Sequence, residues 1–232
     1  MPTITDVADQ LIAADLPVMF LDTCIVLDVI RAVRRRYVNC VAKASELHTA
    51  VTVAPAQCSL VISHLVRHEW GVHEPELLSE ARKHLAEMED QSGHFHDACA
   101  VLGIVPGFAR ANYAAHGMAD QLRDLSRQLL DAGIEVTPDD ACSGRAINRV
   151  IHNIPPSKKG GEAKDCTILE EYLAICQILQ AAGFVKKRVF CTSNTNDFCE
   201  AGALHPLLAA DFAAVSLRFT SNLPWGFHDV TH

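Results

Sequence analysis

The sequence predicts an α/β fold built on a mainly parallel central sheet. Short apolar runs rich in β-branched residues alternate with longer segments of helical periodicity, which is the pattern of parallel strands covered by helices. Three of these runs, at 18–21, 58–63 and 188–193, are followed by polar or acidic residues. Sites in such sheets lie beyond the carboxyl ends of the strands, so the residues after these runs are the first candidates for function.

The helices are predicted from apolar residues at helical spacing. Clear examples cover 3–15 and 165–183, and the pattern from 25 to 47 is helical with an interruption by the exposed arginines at 34–36. Ser63 follows the second strand at the position where the N-cap of a further helix is expected. The run "FAAVSL", at 212–217, predicts one more strand.

The middle of the chain is less regular. Residues 75–132 have a largely helical pattern, with Pro75 near a helix start and a Gly-Pro break at 103–107. Residues 139–164 contain many turn residues and one short helical patch, and we interpret them as a loop-rich excursion.

Composition indicates the class of protein. Hydrophobic residues make up 49% and charged residues 21% of the 232-residue chain, which is typical of globular domains. No apolar stretch approaches the length of about 20 residues that spans a bilayer, and no signal peptide is evident, so we expect a cytoplasmic protein that does not contact membranes. Nine scattered cysteines without a CxxC pair predict free thiols. The net charge of −8 argues against broad nucleic-acid affinity but allows a local basic groove.

Four acids occupy comparable places around the predicted sheet. Asp22 follows the first strand, Glu69 lies about two turns into the helix after the second, and Asp165 opens the long helix. Asp197 follows the strand at 188–193 by one short turn. If the strands are parallel neighbours, these carboxylates converge, and a cluster of like charges is costly unless a cation neutralises it. Hard oxygen ligands select Mg²⁺ or Mn²⁺, ions that hold phosphates and stabilise the charge of an in-line displacement.

Each acid also has an ordinary explanation when it is considered alone. Asp22 could cap the following helix, and Glu69 could be a solvated helix residue. Asp165 is favoured at a helix start by the helix dipole, and Asp197 could serve a turn. Only their joint placement after strands favours a shared site.

Four segments in this order resemble the motifs of the PIN-domain family, metal-dependent nucleases that include many bacterial toxin ribonucleases. "MFLDTCIVLD" resembles the opening strand and first acid, and "LVISHLVRHEW" the serine-headed helix with the second acid. "KDCTILEEYLAI" and "VFCTSNTNDF" resemble the third and fourth motifs. The resemblance implies a three-layer α/β/α, PIN-like fold formed by one domain over 1–232. The long gap between the second and third motifs suggests a helical insertion at about 75–160.

The resemblance implies a divalent-metal-dependent phosphodiesterase, with RNA a better candidate substrate than DNA. Mg²⁺ or Mn²⁺ would be held by the four acids, Asp22, Glu69, Asp165 and Asp197. The candidates for orienting carboxylates or phosphate are Thr23, Ser63, Thr192 and Asn194. Lys164, together with Lys158 and Lys159, could contact the substrate backbone or could only form a solvated loop. The same two interpretations apply to Arg34–Arg36.

The chain departs from the family pattern at two positions. Position 24 is Cys where members often carry Asn or Ser, and position 194 is Asn where many carry an acid. These departures leave open a catalytically inactive PIN-like module for RNA binding or protein assembly. Two protein partners also stay open, a second copy of the chain and an antitoxin-like protein.

Three other chemistries are less well supported. His64 and His68, four residues apart, could share a zinc ion, but the HExxH pattern is missing and spacing indicates no third ligand. A nucleophilic Cys24, Cys166 or Cys191 is disfavoured because apolar neighbours raise the pKa of a thiol. A haloacid-dehalogenase-type phosphatase needs a second aspartate two residues after the first, where this chain has Cys.

Overall fold

The computed structural model describes residues 2–35, 37–107, 109–137, 139–157 and 163–232. The strands are β1 Val18–Leu21, β2 Ser59–Ser63, β3 Ile134–Val136, β4 Arg188–Cys191, β5 Cys199–Glu200, β6 Ala203–Leu204 and β7 Arg218–Thr220. The helices are α1 Ile4–Ala14, α2 Thr23–Arg35, α3 Val38–Thr52, α4 His64–Leu102, α5 Met118–Ala132, α6 Asp140–Ile151, α7 Ala163–Ala181, α8 Thr195–Phe198, α9 Pro206–Ala214 and α10 Leu223–Thr231. The predicted α/β class is confirmed.

The centre of the fold is a five-stranded sheet in the order β3-β2-β1-β4-β7, with every neighbouring pair parallel. All four residues of β1 are buried, because the central strand is covered on both faces, and this explains its uninterrupted apolar sequence. In the register, Leu21 pairs with Ile62 of β2 and with Cys191 of β4. The carboxyl ends of the three central strands therefore lie at the same level.

Helices flank this sheet in two groups. In the first, α7 packs against α1 and α6, and its Tyr172 ring lies 4.9 Å from the Phe20 ring and 5.8 Å from the Phe190 ring, between centroids. In the second group, α2 and α3 pack against each other, and both pack against α5. Helix α3 also packs against α10. The arrangement is compatible with three α/β/α layers. Among the described helices, none combines the length and apolar character needed to cross a bilayer.

The predicted helix start near Pro75 is wrong, because α4 runs through this proline from His64 to Leu102. A proline inside a helix removes one backbone hydrogen bond. Packing opposes this loss, since Leu77, Leu78 and Leu85 beyond the proline are buried in one cluster with residues of α2. The predicted break after 102 is confirmed by Gly103, which caps α4 in the left-handed conformation.

The strand predicted at 212–217 is also wrong. Residues Pro206–Ala214 form α9, in which Leu208 and Phe212, four residues apart, are buried on one helical face. The strand begins only at Arg218. An apolar run of this length does not separate a buried helix from a buried strand, and here the preceding alanines extend the helix.

The stretch 75–160, for which we expected a helical insertion, contains the rest of α4, α5 and α6. It also contains β3, which was not predicted and which pairs in parallel with β2. This stretch therefore supplies one edge strand of the central sheet. The excursion expected at 139–164 contains the helix α6, which begins at Asp140 behind the capping side chain of Asp139.

Candidate functional site

The candidate site lies where the strand order reverses. The chain passes from β1 outward through β2 to β3, and then from β4 outward to β7 on the other side. Such a reversal opens a crevice at the carboxyl ends of the strands. Asp22 follows β1 at this point and Thr192 follows β4, and the Asp22 backbone N–H donates to the Cys191 carbonyl at 3.0 Å.

Asp22 is buried and accepts three hydrogen bonds. Its Oδ1 accepts from the Thr23 backbone N–H at 2.7 Å, and its Oδ2 accepts from the Thr192 hydroxyl at 2.6 Å and from the Cys24 thiol at 3.2 Å. Burial raises the pKa of Asp22 above its ordinary value, the nearby Glu69 charge raises it further, and the three donors oppose these effects. Within the described chain, no Lys or Arg pairs with this carboxylate.

Cys24 supplies a polar contact in place of the Asn or Ser common in the resembled family. The thiol lies 3.2 Å from both Asp22 Oδ2 and Thr192 Oγ1, and its sulfur accepts from the Ser193 backbone N–H at 3.0 Å. Burial and the Asp22 charge raise the pKa of this thiol well above its usual range, so it stays protonated and can donate. Cys24 therefore orients Asp22, and its raised pKa is unfavourable for a nucleophile.

Glu69 and Asp165 join Asp22 along one open cleft of about 230 Å³. Glu69 reaches it from the second turn of α4 and Asp165 from the first turn of α7. In the part of the chain that the structure describes, Glu69 makes no hydrogen bond or ion pair. The cleft is completed by Thr23, Cys24, Leu27, Arg31, His73 and Asn194.

Asn194 links the fourth predicted acid to the cleft. Its amide nitrogen donates to Asp165 Oδ2 at 3.1 Å and to Asp197 Oδ2 at 2.7 Å, while its backbone N–H donates to the Thr192 hydroxyl at 3.0 Å. Asp197, in the short helix α8, is not among the residues that line the cleft. The structure thus brings three of the predicted acids into one cleft and places the fourth behind the Asn194 amide.

The other predicted residues lie in different surroundings. Ser63 is buried and caps α4, because its hydroxyl accepts from the Leu65 backbone N–H at 3.1 Å. Thr23 is buried, and its hydroxyl has no hydrogen-bond partner among the described residues. Lys164 is exposed and does not line the cleft. Lys158 and Lys159 lie outside the described residues.

Three of the other basic and histidine candidates contact carboxylates outside the acidic cleft. Arg34 pairs with Glu80 and Arg35 with Asp28, while Arg36 lies outside the described residues. His64 Nδ1 lies 3.0 Å from Glu135 Oε1, away from the acidic cleft. His68 is exposed.

Two residues of the cleft were not predicted. Arg31 lines it from α2 and lies 3.6 Å from Asp28, and His73 lines it from α4. His73 follows Glu69 by four residues, a spacing that places both on one helical face and could have been used to find it. Arg31 is one of several arginines late in α2, and only the packing of that helix distinguishes it.

Among the described residues, no three His, Cys, Asp or Glu side chains stand in an arrangement that would hold a metal ion. Two of the three cleft carboxylates instead accept from protein donors: Asp22 accepts from Thr192 and Cys24, and Asp165 accepts from Asn194. None of the protein-family models, curated proteins or solved structures with which the chain was compared matches it.

Proposed function

We propose that the chain is a divalent-metal-dependent nuclease that hydrolyses phosphodiester bonds in RNA at the acidic cleft. The observation that carries the proposal is the convergence of Asp22, Glu69 and Asp165 on one open cleft at the reversal of strand order. The PIN-like identity of the fold belongs to the same proposal, and the order of the four resembling segments along the chain supports it.

The donor set fits a hard divalent cation. Carboxylate oxygens from three separate elements line the cleft, and oxygen ligands of this kind suit Mg²⁺ or Mn²⁺. The charges of Asp22 and Glu69 disfavour one another, and neither carboxylate has a basic partner among the described residues. A cation would remove this repulsion. Asp22, Glu69 and Asp165 would hold it, with Asp197 contributing through the Asn194 amide or after that amide turns away.

A cation held there would neutralise the phosphate and lower the pKa of a bound water. The chain's own residues supply the remaining requirements. Thr192, Cys24 and the Thr23 N–H fix the Asp22 carboxylate in one orientation, and Asn194 does the same for Asp165. This preorganisation means that the carboxylates need not be ordered when substrate binds.

Arg31 and His73 are suited to the substrate itself. The Arg31 guanidinium can donate to the phosphate oxygens, on which negative charge grows during an in-line displacement. In the reaction, a water oxygen bonds to phosphorus and releases a proton to the solvent as the ester P–O bond breaks, and the leaving oxygen takes up a proton of its own. The His73 imidazole, at the rim of the cleft, can donate it.

The test is cleavage of a single-stranded RNA in Mn²⁺, before and after EDTA and after Mn²⁺ is restored. We expect cleavage that EDTA abolishes, that Mn²⁺ restores and that Asp165→Asn lacks. The matched control is Asp140→Asn, which makes the same change in the first turn of the neighbouring helix α6. Cleavage that survives EDTA, or that Asp165→Asn leaves intact, contradicts the proposal.

The alternative function is a catalytically inactive module for RNA binding or protein assembly. It is favoured by Asn194, whose amide stands between Asp165 and Asp197 where many members of the resembled family carry an acid. Metal-independent RNA binding without cleavage, unchanged in Asp165→Asn, would support this alternative over the nuclease.

A further inference from the structure

A second polar cleft lies beside the acidic one, separated from it by the segment that follows β4. Asn194 lines the acidic cleft, whereas its neighbours Ser193 and Thr195 line the second. The second cleft has a volume of about 260 Å³ and opens to solvent between α2, the start of α3 and the start of α10. Asp28, Arg35 and Tyr37 also line it.

Two of the arginines in helix α2 line different clefts. Arg31 lines the acidic cleft and Arg35, one helical turn later, lines the second. Asp28 contacts both guanidinium groups. Two positive charges therefore face one carboxylate that is itself only 15% exposed, while the Arg35 side chain is 49% exposed. Arg35 therefore presents a partly exposed cation at the second cleft, although it shares Asp28 with Arg31.

Tyr37 adds an aromatic surface to the second cleft. Its backbone is fixed, because its N–H donates to the Ala32 carbonyl at 2.8 Å and its carbonyl accepts from the Cys40 N–H at 2.9 Å. Its side chain is 53% exposed and makes no hydrogen bond to a described residue. A ring that is held at its backbone and open to solvent is suited to stacking on a nucleic-acid base, an interaction that tolerates every base.

We propose that the second cleft is a nucleotide subsite for the single-stranded RNA whose phosphate enters the acidic cleft. Arg35 binds the backbone phosphate adjacent to the one at Arg31, and Tyr37 stacks on the attached base. Ser193 and Thr195 offer hydroxyls for hydrogen bonds to the sugar. The subsite rests on the proposed nuclease function, and it makes binding there selective for unpaired strands, because a base inside a duplex cannot reach the Tyr37 ring.

The experiment measures binding of a fluorescent single-stranded RNA of about ten nucleotides by anisotropy in EDTA, and cleavage of the same RNA in Mn²⁺. The variants are Arg35→Gln, Tyr37→Ala and Tyr37→Phe. The matched control is Arg34→Gln, which removes the same charge from the neighbouring position, where the side chain pairs with Glu80 outside the cleft. A duplex of the same sequence is the control ligand.

We expect Arg35→Gln to weaken binding about tenfold and to reduce the salt dependence by about one released ion. Tyr37→Ala should also weaken binding about tenfold, and Tyr37→Phe should stay within about twofold of the wild type, because the ring is kept. Both losses should appear as a raised KM with kcat nearly unchanged, and Arg34→Gln should resemble the wild type.

The outcomes separate this subsite from the proposed function. If the wild type binds and cleaves the RNA but Arg35→Gln and Tyr37→Ala behave like Arg34→Gln, the subsite is overturned and the nuclease stands. If the wild type neither binds nor cleaves, the proposed function fails and the subsite fails with it. Equal affinity for the duplex would also overturn the stacking role of Tyr37.

Discussion

Asp22 and Glu170 are both buried carboxylates, but only Glu170 is paired with basic side chains. Glu170, in α7, accepts from Arg149 at Oε1 and from Arg145 at Oε2, each at 2.6 Å, and Arg149 also donates to Asp211. Asp22 accepts only from neutral groups, the Thr23 N–H, the Cys24 thiol and the Thr192 hydroxyl.

The difference distinguishes a structural acid from a candidate ligand. The charge of Glu170 is balanced inside the fold, so this carboxylate joins α6, α7 and α9. The charge of Asp22 is oriented but not balanced by any described basic residue, and it lies in an open cleft with Glu69 and Asp165. A buried charge that the protein leaves uncompensated is costly unless something from outside compensates it. We therefore expect neutralisation of Asp22 to affect mainly cleavage and neutralisation of Glu170 to affect mainly the free energy of unfolding.

The largest effect is expected from Asp22→Asn. Loss of this carboxylate should lower the cleavage rate on the order of 10³-fold, because it removes a group that holds the cation. The free energy of unfolding should change little, since asparagine keeps an oxygen that accepts from Thr192 and loses a charge that burial disfavours. Cleavage kinetics and thermal unfolding of the same preparation measure both quantities. A large loss of stability with unchanged cleavage would assign Asp22 to helix capping instead.

Glu170→Gln should have the opposite profile. Removing one partner of a buried ion pair costs about 3 to 5 kcal/mol of unfolding free energy, because the remaining charges of Arg145 and Arg149 lose their compensation. Cleavage by the protein that stays folded should be unchanged. Urea unfolding measures the cost, and Glu87→Gln, on the exposed face of α4, is the control that should lie within about 0.5 kcal/mol of the wild type.

Glu171 gives a third buried acid, and no described Lys or Arg pairs with it. Burial raises its pKa from 4.5 to about 8, a hydrogen bond with the Ser63 side chain opposes this shift, and the Asp139 charge adds to it. Between these values the folded protein holds a proton that the unfolded chain releases. The stability that this provides is fully present below about 4.5 and is lost as the pH rises through about 8.

Glu171→Gln should therefore stabilise the protein increasingly as the pH rises. The side chain is then neutral at every pH, and the gain over the wild type should be small at pH 5 and on the order of 3 kcal/mol at pH 9. Urea unfolding of both proteins across this range measures the difference. A gain that does not depend on pH would show that Glu171 does not titrate as its burial implies.

The smallest effect is expected at Cys24. Cys24→Ala removes one of the three donors to Asp22, and we expect about tenfold weaker Mn²⁺ binding, as is usual when a group that orients a ligand is lost. Cys24→Ser keeps a donor to Asp22 and an acceptor for the Ser193 N–H, so its affinity should lie close to that of the wild type. Equal losses in both variants would indicate a packing role for the sulfur instead of an orienting one.

The sequence was most informative where a feature depends on neighbouring residues. β1 could be predicted residue by residue, because a central strand is buried on both faces and is apolar throughout. Ser63 as a cap and Asp165 at a helix start also follow from local rules. The joint placement of acids after parallel strands predicted that all four converge, and three of the four line one cleft.

The features that sequence reasoning missed depend on contacts between distant segments. The α4 helix continues past Pro75 because α2 packs against the turns beyond it, and the short β3 strand is defined by its pairing with β2. The Asn194 amide donates to both Asp165 and Asp197. Asp165 is 29 residues away from Asn194 in the sequence, so no local pattern indicates their contact. The cleft role of Arg31 likewise depends on which face of α2 is buried.

The most direct test of the difference between Asp22 and the other buried acids is calorimetric titration of the metal-free protein with Mn²⁺. The wild type, Asp22→Asn and Glu171→Gln should be compared, since each variant replaces one buried acid by its amide and, of these two acids, only Asp22 lies in the cleft. We predict saturable binding in the wild type and in Glu171→Gln, and its loss in Asp22→Asn. Binding that Asp22→Asn leaves unchanged, or no binding by the wild type, would contradict the account.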